Sequence, residues 1–277
     1  MSSAHNPEIG KTVAAGGIAT NYHDVGTGAP VVLLHGSGPG VTAWANWRLV
    51  TPKLATRLRV LAPDIVGFGY TERPPAARYS MELWVRHAMD FLDALKLERV
   101  HLVGNSFGGG LSLALALRHP DRVDRLVLMG SSGLVFDITP GLDAVWGYEP
   151  SPEAMRRLVQ LFAYDQKIVT DDLVRSRYEA SVRPGYHESY AAMFPAPRQR
   201  HVAAMASPED ALARLDKETL IVHGREDKVI PFESSVRLHT LIPRSQLHVF
   251  GRCGHWTQIE QNERFCRLVG DFLSEAG

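Results

Sequence analysis

The fold of this chain is decided by one stretch, Val100-His101-Leu102-Val103-Gly104-Asn105-Ser106-Phe107-Gly108-Gly109. Residues 100–103 predict a strand, residues 108–117 have the apolar spacing of a helix, and a Gly-x-Ser-x-Gly pattern lies between them. Such a sharp turn presents the serine as a nucleophile, because glycines stand where a Cβ would collide. The start of the helix also favours negative charge that develops beside Ser106. The alternative is a glycine-rich turn with an incidental serine.

Short apolar runs alternate with amphipathic segments on both sides of this stretch, which indicates βαβ units and a mostly parallel central sheet flanked by helices. The other predicted strands are residues 31–34, 60–62, 126–129, 220–222 and 247–250. Residues 12–25, which contain Gly16-Gly17, predict an edge hairpin. Helical spacing covers residues 42–57, 80–96, 108–119 and 263–275, with Ser80 and Asn262 as N-cap signals.

The alternation stops between about Phe136 and Ala206, where the sequence contains no convincing strand. Two helix-like pieces, residues 152–163 and 171–182, precede a proline-rich turn at residues 194–197. We therefore predict an α/β core of residues 1–136 and 206–277. Residues 137–205 are expected to form a helical cap, inserted between two strands as a lid over the edge of the sheet.

Polar residues after the later strands predict the partners of Ser106, because a serine hydroxyl is a poor nucleophile until a base takes its proton. In the α/β-hydrolase fold the serine is followed along the chain by an acid and then by a histidine. His255 follows the last predicted strand and is the expected base. Asp227 follows the strand before it and is the expected acid, which would orient and stabilise the imidazole. Glu226 is the alternative acid.

Backbone amides are expected to form the oxyanion hole. One donor is the N–H of Phe107, the residue after the nucleophile. The second should come from the loop of residues 35–40, where Gly36 and Gly38 let the backbone approach a bound carbonyl closely, and we favour the N–H of Ser37. The alternative interpretation of this loop is a plain glycine-rich turn.

Composition excludes several classes of protein. Thirty Lys and Arg balance thirty Asp and Glu in the 277 residues, so no electrostatic footprint for nucleic acid or an anionic membrane is expected. Two cysteines, Cys253 and Cys266, cannot build a disulfide framework and favour a reducing compartment. The amino terminus has no signal-peptide pattern and no apolar run is long enough to cross a bilayer, so a cytoplasmic protein is expected. No metal-ligand spacing or phosphate-binding loop is present, and no cofactor or metal is expected.

Four segments together resemble the meta-cleavage product hydrolases, the C–C bond hydrolases of aromatic catabolism. These are residues 34–40 with Ala43-Trp44-Ala45-Asn46-Trp47, residues 104–109, Gly224-Arg225-Glu226-Asp227 and Cys253-Gly254-His255-Trp256. The similarity extends over essentially the whole chain and is greatest to the branch acting on 2-hydroxymuconic semialdehyde and related 6-alkyl dienoates. The resemblance implies cleavage of 2-hydroxy-6-oxohexa-2,4-dienoates to 2-hydroxypenta-2,4-dienoate and a carboxylic acid, after ketonisation of the dienol, by a homo-oligomer (a dimer or larger).

A small-molecule substrate of this class carries a carboxylate, so its site needs a cation and hydrogen-bond donors. Arg177 is the candidate cation, because it shares a helix face with Leu173, Val174 and Ser181 and matches the arginine of the family's cap. The alternative is a side chain that snorkels to water. Amide groups of Asn46 and Asn105 and the indole of Trp256 are candidate donors, and for Trp256 the alternative is a role in packing. By analogy with the family, the expected wall around the C6 substituent comprises Val229, Ile230, Leu142, Trp146 and Phe194.

Two other functions fit parts of this pattern. A carboxylesterase or lactonase would use the same three residues on an ester, without needing Arg177. A catalytically inactive binding protein of the same fold would usually lack part of the triad or of the oxyanion hole.

Overall fold

Residues 6–75 and 77–275 are described by the computed structural model. Within these residues eight strands form one sheet, in the order β1-β2-β4-β3-β5-β6-β7-β8. Pairing is antiparallel from β1 through β2 to β4 and parallel across the rest. The strands are β1 (Lys11–Ala15), β2 (Ile18–Val25), β3 (Pro30–Leu34), β4 (Arg59–Pro63), β5 (Val100–Asn105), β6 (Val123–Met129), β7 (Thr219–Gly224) and β8 (Ser245–Phe250).

The sheet confirms the predicted fold class. Each predicted apolar run lies inside one of the strands β3 to β8, and the predicted hairpin is β1 and β2 joined at Gly16 and Gly17, both with positive φ. Alternate residues of the parallel strands feed two apolar layers, so that Leu102 packs on one face and Val103 on the other. Burial on both faces explains why these strands are continuous apolar runs.

Helices flank the sheet and fill the insertion. They are α1 (Ala43–Trp47), α2 (Thr51–Leu54), α3 (Met81–Ala94), α4 (Phe107–Arg118), α5 (Pro140–Trp146), α6 (Pro152–Phe162), α7 (Asp171–Ser181), α8 (Tyr186–Met193), α9 (Gln199–Ala204), α10 (Glu209–Leu212), α11 (Phe232–Leu241), α12 (Thr257–Glu260) and α13 (Asn262–Ser274). In the part of the chain that the structure describes, no helix combines the length and the apolar content that crossing a bilayer requires.

Two details of the helix predictions were wrong. Residues 42–57 form two short helices, α1 and α2, rather than one. The break falls before Pro52, which has no N–H to continue the preceding helix and occupies the first turn of α2 instead. The N-cap of α13 is Gln261, not Asn262, whose amide instead donates to the carbonyls of Leu49 and Gln258. The N-cap of α3 is Ser80, as predicted.

The segment between β6 and β7 holds helices α5 to α10. Residues of this segment, among them Val145, Leu158 and Phe162, join the same apolar cluster as one face of the sheet. The segment therefore packs onto the core. The division into a core and a cap of residues 137–205 stays a prediction.

Candidate active site

The register of the parallel strands brings their carboxyl ends to one edge of the sheet. Leu34 of β3 pairs with Gly104 of β5, and Asn105 pairs with Met129 of β6. On the far side, Gly224 of β7 pairs with Phe250 of β8. Loops that leave this edge carry the predicted functional residues, as expected for the carboxyl edge of an α/β sheet.

Ser106 occupies a strained turn between β5 and α4. Its backbone has φ 53° and ψ −112°, a conformation that a residue with a side chain rarely adopts. The Ser106 N–H donates to the Met129 carbonyl at 2.9 Å, and the Ser106 carbonyl accepts from the N–H of Ser132 at 3.1 Å. The flanking glycines are required, since a Cβ at Gly104 or Gly108 would lie 2.3 or 2.2 Å from a backbone carbonyl oxygen. The turn thus presents Ser106 at the edge of the sheet.

His255 and Asp227 form a buried pair. His255 Nδ1 lies 2.7 Å from Asp227 Oδ2, and the two side chains are 4% and 1% exposed. Asp227 Oδ1 accepts from the N–H groups of Val229 at 2.7 Å and Ile230 at 3.0 Å, which fixes the carboxylate. Burial on its own would raise the pKa of Asp227, but the charge and the hydrogen bond of His255, together with the charge of His223 and the Val229 N–H, outweigh burial, and the pKa lies below its usual value. An ionised Asp227 accepts a hydrogen bond from Nδ1–H and keeps the proton of the neutral imidazole on Nδ1, so Nε2 is free to act as a base.

The serine and the imidazole meet at one cavity, whose lining includes both Ser106 and His255. Gly130, at the end of β6, lies beside the pair, and a Cβ there would be 3.1 Å from Asp227 Oδ2 and 3.2 Å from His255 Nδ1. Among the described residues no hydrogen bond joins the Ser106 hydroxyl to His255.

The alternative acid and the neighbouring thiol are engaged elsewhere. Glu226 pairs with Arg225 and accepts the Cys253 N–H at 2.9 Å. Cys253 is fully buried, and burial raises the pKa of its thiol, as befits a small packing residue rather than a nucleophile. His223 is also fully buried, with Nδ1 2.7 Å from the Ser235 hydroxyl and Nε2 3.4 Å from Asp227 Oδ2. Its Nε2 also lies 3.2 Å from the Ile230 carbonyl, so His223 is held close to the same carboxylate oxygen that His255 contacts.

The loop of residues 35–40 runs between β3 and α1, and its Gly36, Ser37 and Gly38 line the cavity. Fully buried His35 holds it, because Nδ1 lies 2.7 Å from the Gly36 carbonyl and Nε2 accepts from the Ile65 N–H at 3.0 Å. Burial lowers the pKa of His35 to about 4, so the ring is neutral at neutral pH. The Ser37 and Phe107 amides have no hydrogen-bond acceptor among the described residues, which leaves both available to an oxyanion.

The cavity has a volume of about 300 Å³ and lies between the sheet edge and the inserted helices. Several apolar side chains of the insertion form one wall: Leu142, Val145, Met155, Val159, Phe162 and Leu173. The predicted polar residues Asn46, Asn105, Arg177 and Trp256 also line it. Trp256 stacks on Phe162 with ring centroids 5.0 Å apart, so it both packs and faces the cavity.

Three of the five predicted wall residues were wrong. Leu142 and Val229 line the cavity, but Ile230, Trp146 and Phe194 are buried outside its lining. Trp146 stacks on Phe194 at 4.6 Å, and its indole donates to the Ser37 hydroxyl at 3.0 Å. This stack supports the loop beneath the cavity instead of facing the ligand. Spacing along the sequence does not tell whether Trp146 and Phe194 face the cavity or pack against each other outside it.

Sequence reasoning missed several residues of the cavity lining, among them the polar residues Arg48 and Gln258. Arg48 follows α1, two residues after Asn46, and Gln258 lies in α12, two residues after Trp256. Both stand close in sequence to residues that were selected, and this proximity was the available signal. Gln258 is fully buried, and its Oε1, like the Nδ2 of Asn46, has no hydrogen-bond partner among the described residues. These unpaired groups mark the polar end of the cavity.

Comparison with known proteins shows the family to which this chain belongs. A family model described as "alpha/beta hydrolase fold" matches residues 29–261, and the chain belongs to that family. The chain is 62% identical to 2-hydroxymuconate semialdehyde hydrolase of Pseudomonas sp. (strain CF600), over 98% of this chain and 96% of the relative. It is 63% identical to 2-hydroxy-6-oxo-2,4-heptadienoate hydrolase of Pseudomonas putida, over 97% and 98%. Within the α/β hydrolases, the chain is a member of the meta-cleavage product hydrolases, serine hydrolases that act on C–C bonds.

A solved structure supports the same conclusion. The meta-cleavage product hydrolase from Pseudomonas fluorescens, determined as a serine-to-alanine mutant complexed with acetates, is 60% identical. It superposes with a TM-score of 0.97 over 98% of this chain and 100% of that chain. The resemblance drawn from the sequence motifs is therefore confirmed.

Proposed function

We propose that this protein hydrolyses the bond between C5 and C6 of 2-hydroxy-6-oxohexa-2,4-dienoates, releasing 2-hydroxypenta-2,4-dienoate and a small carboxylic acid. The substrates named for the two relatives, 2-hydroxymuconate semialdehyde and 2-hydroxy-6-oxo-2,4-heptadienoate, belong to this class. The observation that carries the proposal is the cavity itself, which joins a buried Ser106, a histidine–carboxylate pair and a cationic end.

The leaving group is carbon, so the substrate must first be activated. Ketonisation moves the dienol proton from the 2-hydroxyl to C5 and leaves a 2-oxo group conjugated with a C3=C4 double bond. When the C5–C6 bond breaks, its electron pair is delocalised onto the 2-oxo oxygen. We assign the proton transfer to His255, whose Nε2 is kept basic by Asp227 at Nδ1.

Hydrolysis then follows the logic of a serine triad. Ser106 attacks the C6 carbonyl while His255 takes its proton, and the amides of Phe107 and Ser37 stabilise the oxyanion. The dienolate leaves with a proton, and water releases the acyl group as a carboxylic acid. The strained backbone of Ser106 supports this assignment, because strain of this kind is stored at functional sites.

Binding groups are distributed along the cavity. We assign the substrate carboxylate to the end of the cavity that contains Arg177. Asn46, Asn105 and Trp256 line the same cavity, and we assign them as hydrogen-bond partners of the substrate oxygen atoms on C1 and C2. A side chain at position 36 would intrude between this end and the nucleophile, because its Cβ would lie 2.9 Å from Asn105 Oδ1 and 3.5 Å from Ser106 Cβ. Gly36 leaves this space open. The apolar wall would surround the C6 substituent.

Three further assignments belong to the proposal. Residues 137–205 act as a cap over the cavity, the protein works in the cytoplasm, and it assembles as a homo-oligomer of two or more chains. The cavity-lining residues of α5, α6 and α7 support the first. Analytical ultracentrifugation tests the third, and a monomer at micromolar concentration would contradict it.

Turnover of dienoates and of esters separates C–C hydrolysis from a carboxylesterase or lactonase. We expect the 6-methyl dienol to lose its visible absorbance with stoichiometric formation of acetate, and p-nitrophenyl acetate to be a much poorer substrate by kcat/KM. Efficient ester hydrolysis with no loss of the dienol would refute the proposal. A series of 6-substituted dienoates would then rank the C6 group that the wall accepts.

A further inference from the structure

The loop that carries His255 is bonded to the insertion as well as to the core. The His255 N–H donates to the Phe162 carbonyl at 2.8 Å, and the Trp256 N–H donates to the same oxygen at 3.3 Å. Phe162 is the last residue of α6, and the centroid of its ring lies 5.9 Å from that of the imidazole. The carboxyl end of α6 and the proposed base are therefore packed directly against each other.

The side chain of Glu260 joins the same two segments a second time. Glu260 is the last residue of α12, which begins two residues after His255. Its Oε1 accepts the Gly254 N–H at 2.7 Å, and its Oε2 accepts the N–H groups of Tyr164 and Asp165, each at 2.9 Å. One half-buried carboxylate thus binds three backbone amides, one from the His255 loop and two from the chain that follows α6.

No side chain separates the His255 loop from the end of α6. A Cβ at Gly254 would lie 2.6 Å from the Phe162 carbonyl oxygen and 2.9 Å from the Tyr164 nitrogen, closer than Cβ atoms come in proteins. The two backbones are in contact, so a small displacement of either would break the hydrogen bonds between them. The imidazole is held at both ends, because Asp227 Oδ2 lies 2.7 Å from Nδ1 and the main chain is bonded to Phe162.

The carboxylate of Glu260 is balanced by these amides rather than by a cation. Within residues 6–75 and 77–275, no Lys, Arg or His side chain lies within ion-pair distance of it. Hydrogen bonds from amides to an ionised acceptor are stronger than those to a neutral one. In the same part of the chain Glu260 makes no hydrogen bond to Ser106, Asp227 or the His255 ring, so it acts on the imidazole through the main chain of the loop.

We propose that Glu260 is a positioning residue for the reaction. It fixes the His255 main chain against the end of α6 and so holds the imidazole in reach of Ser106 and the substrate. The inference rests on the proposed function, because it takes His255 as the base of that reaction. Its consequence is that the insertion and the base move as one body, and movement of α6 away from the sheet edge also withdraws the imidazole.

Glu260→Gln is the informative substitution, because a carboxamide has one acceptor oxygen where the carboxylate has two. That oxygen is expected to face the two amides of Tyr164 and Asp165, and the NH₂ group then faces the Gly254 N–H, where two donors meet. The substitution releases the His255 loop with almost no change in side-chain volume. Glu260→Asp keeps the charge but is one methylene shorter, so it reaches only one of the two segments.

Stopped-flow absorbance of the 6-methyl dienol with the full-length protein measures the kinetic consequence. Glu260→Gln should lower kcat by about 10- to 100-fold, as expected for a misplacement of about 1 Å, and Glu260→Asp should lose at least about tenfold. KM should change less than about twofold, because Glu260 is not part of the cavity lining. Ketonisation and cleavage should slow together, since His255 is assigned to both. Glu263→Gln is the matched control and should be unchanged, because Glu263 is 85% exposed and pairs with Lys53.

A spectroscopic measurement separates positioning from a loss of stability. The Nδ1 proton of His255, in its short hydrogen bond to Asp227, is expected to give a far-downfield proton NMR resonance that Asp227→Asn abolishes. In folded Glu260→Gln this resonance should broaden or move upfield, because the imidazole is no longer held in place. A substitution that only destabilises the fold would lower Tm and leave the resonance of the folded protein unchanged.

Four results would overturn the inference. They are a kcat within about twofold of the unmodified protein in folded Glu260→Gln, a raised KM with unchanged kcat, an unchanged His255 resonance beside a lowered kcat, and full activity in Glu260→Asp. If Glu260→Gln does not fold, Glu260→Asp carries the same measurements. If the unmodified protein does not turn over the dienol, the proposed reaction fails, and the His255 resonance still shows whether Glu260 holds the imidazole.

Discussion

Replacing Asp227 with Asn should lower turnover by several orders of magnitude without unfolding the site. The two amides of Val229 and Ile230 donate to Oδ1, so the oxygen of an Asn side chain must occupy that position. Its NH₂ group then faces His255 Nδ1, where Oδ2 now lies at 2.7 Å. Two donors cannot face each other, so the imidazole must carry its proton on Nε2, toward the cavity. A protonated Nε2 cannot accept the proton of Ser106.

The expected loss follows from this change of tautomer. In a serine triad the same substitution lowers kcat about 10⁴-fold, which at 1.36 kcal/mol per tenfold is about 5 kcal/mol of transition-state stabilisation. Stopped-flow absorbance of the 6-methyl dienol measures both its ketonisation and its cleavage. Glu226→Gln is the matched control and should stay within about threefold of the unmodified protein, because Glu226 contacts Arg225 and Cys253 instead of His255. A loss below tenfold in Asp227→Asn would refute the tautomer argument.

Two further predictions concern stability. Gly108→Ala should lower the free energy of unfolding by about 1–3 kcal/mol in urea titrations, because its Cβ would lie 2.2 Å from the Leu34 carbonyl oxygen. Gly38→Ala is the control, since its Cβ would have no neighbour nearer than 4.0 Å. Equal losses in the two variants would contradict the steric reasoning. Burial lowers the pKa of His87 to about 4, so the unfolded chain takes up a proton near pH 6.5 before the folded protein does, and stability is lost as the pH falls between these values. Between pH 7 and 5 the uptake of this proton lowers the free energy of unfolding of the unmodified protein by about 2 kcal/mol. The difference in stability between the unmodified protein and His87→Gln should therefore shrink by that amount over the same range. A difference that does not change with pH would show that His87 is not buried in its neutral form.

The strands and the nucleophile turn could be predicted from the sequence, because each leaves a pattern in a short run of neighbouring residues. Runs such as residues 220–222 are apolar because both faces of the sheet are covered, and the glycines around Ser106 mark a turn that no other residue fits. The choice between Glu226 and Asp227 could not be made from spacing. The choice depends on the folded loop, in which the backbone amide of Val229 holds one oxygen of Asp227 and leaves the other oxygen facing His255.

The polar end of the cavity shows the other limit of sequence reasoning. Helical periodicity placed Arg177 on an inward face, and it does line the cavity. Its pairing with Glu8 joins residues 169 positions apart, and periodicity carries no information at that range. Arg48 was missed because the sequence predicted one helix over residues 42–57. In the structure α1 ends at Trp47 and Arg48 is its C-cap, so the direction of the Arg48 side chain does not follow from the periodicity of the longer helix.

Whether Ser106 and Asp227 act through one proton relay is measured most directly by a double-mutant cycle on dienol cleavage. Ser106→Ala should lower kcat by at least about 10⁴-fold, and adding Asp227→Asn should then cost almost nothing more, because residues of a single catalytic unit are strongly non-additive. A double variant whose C–C cleavage step, measured after ketonisation, is slower than that of Ser106→Ala by a further hundredfold would mean that the carboxylate serves cleavage independently of the serine.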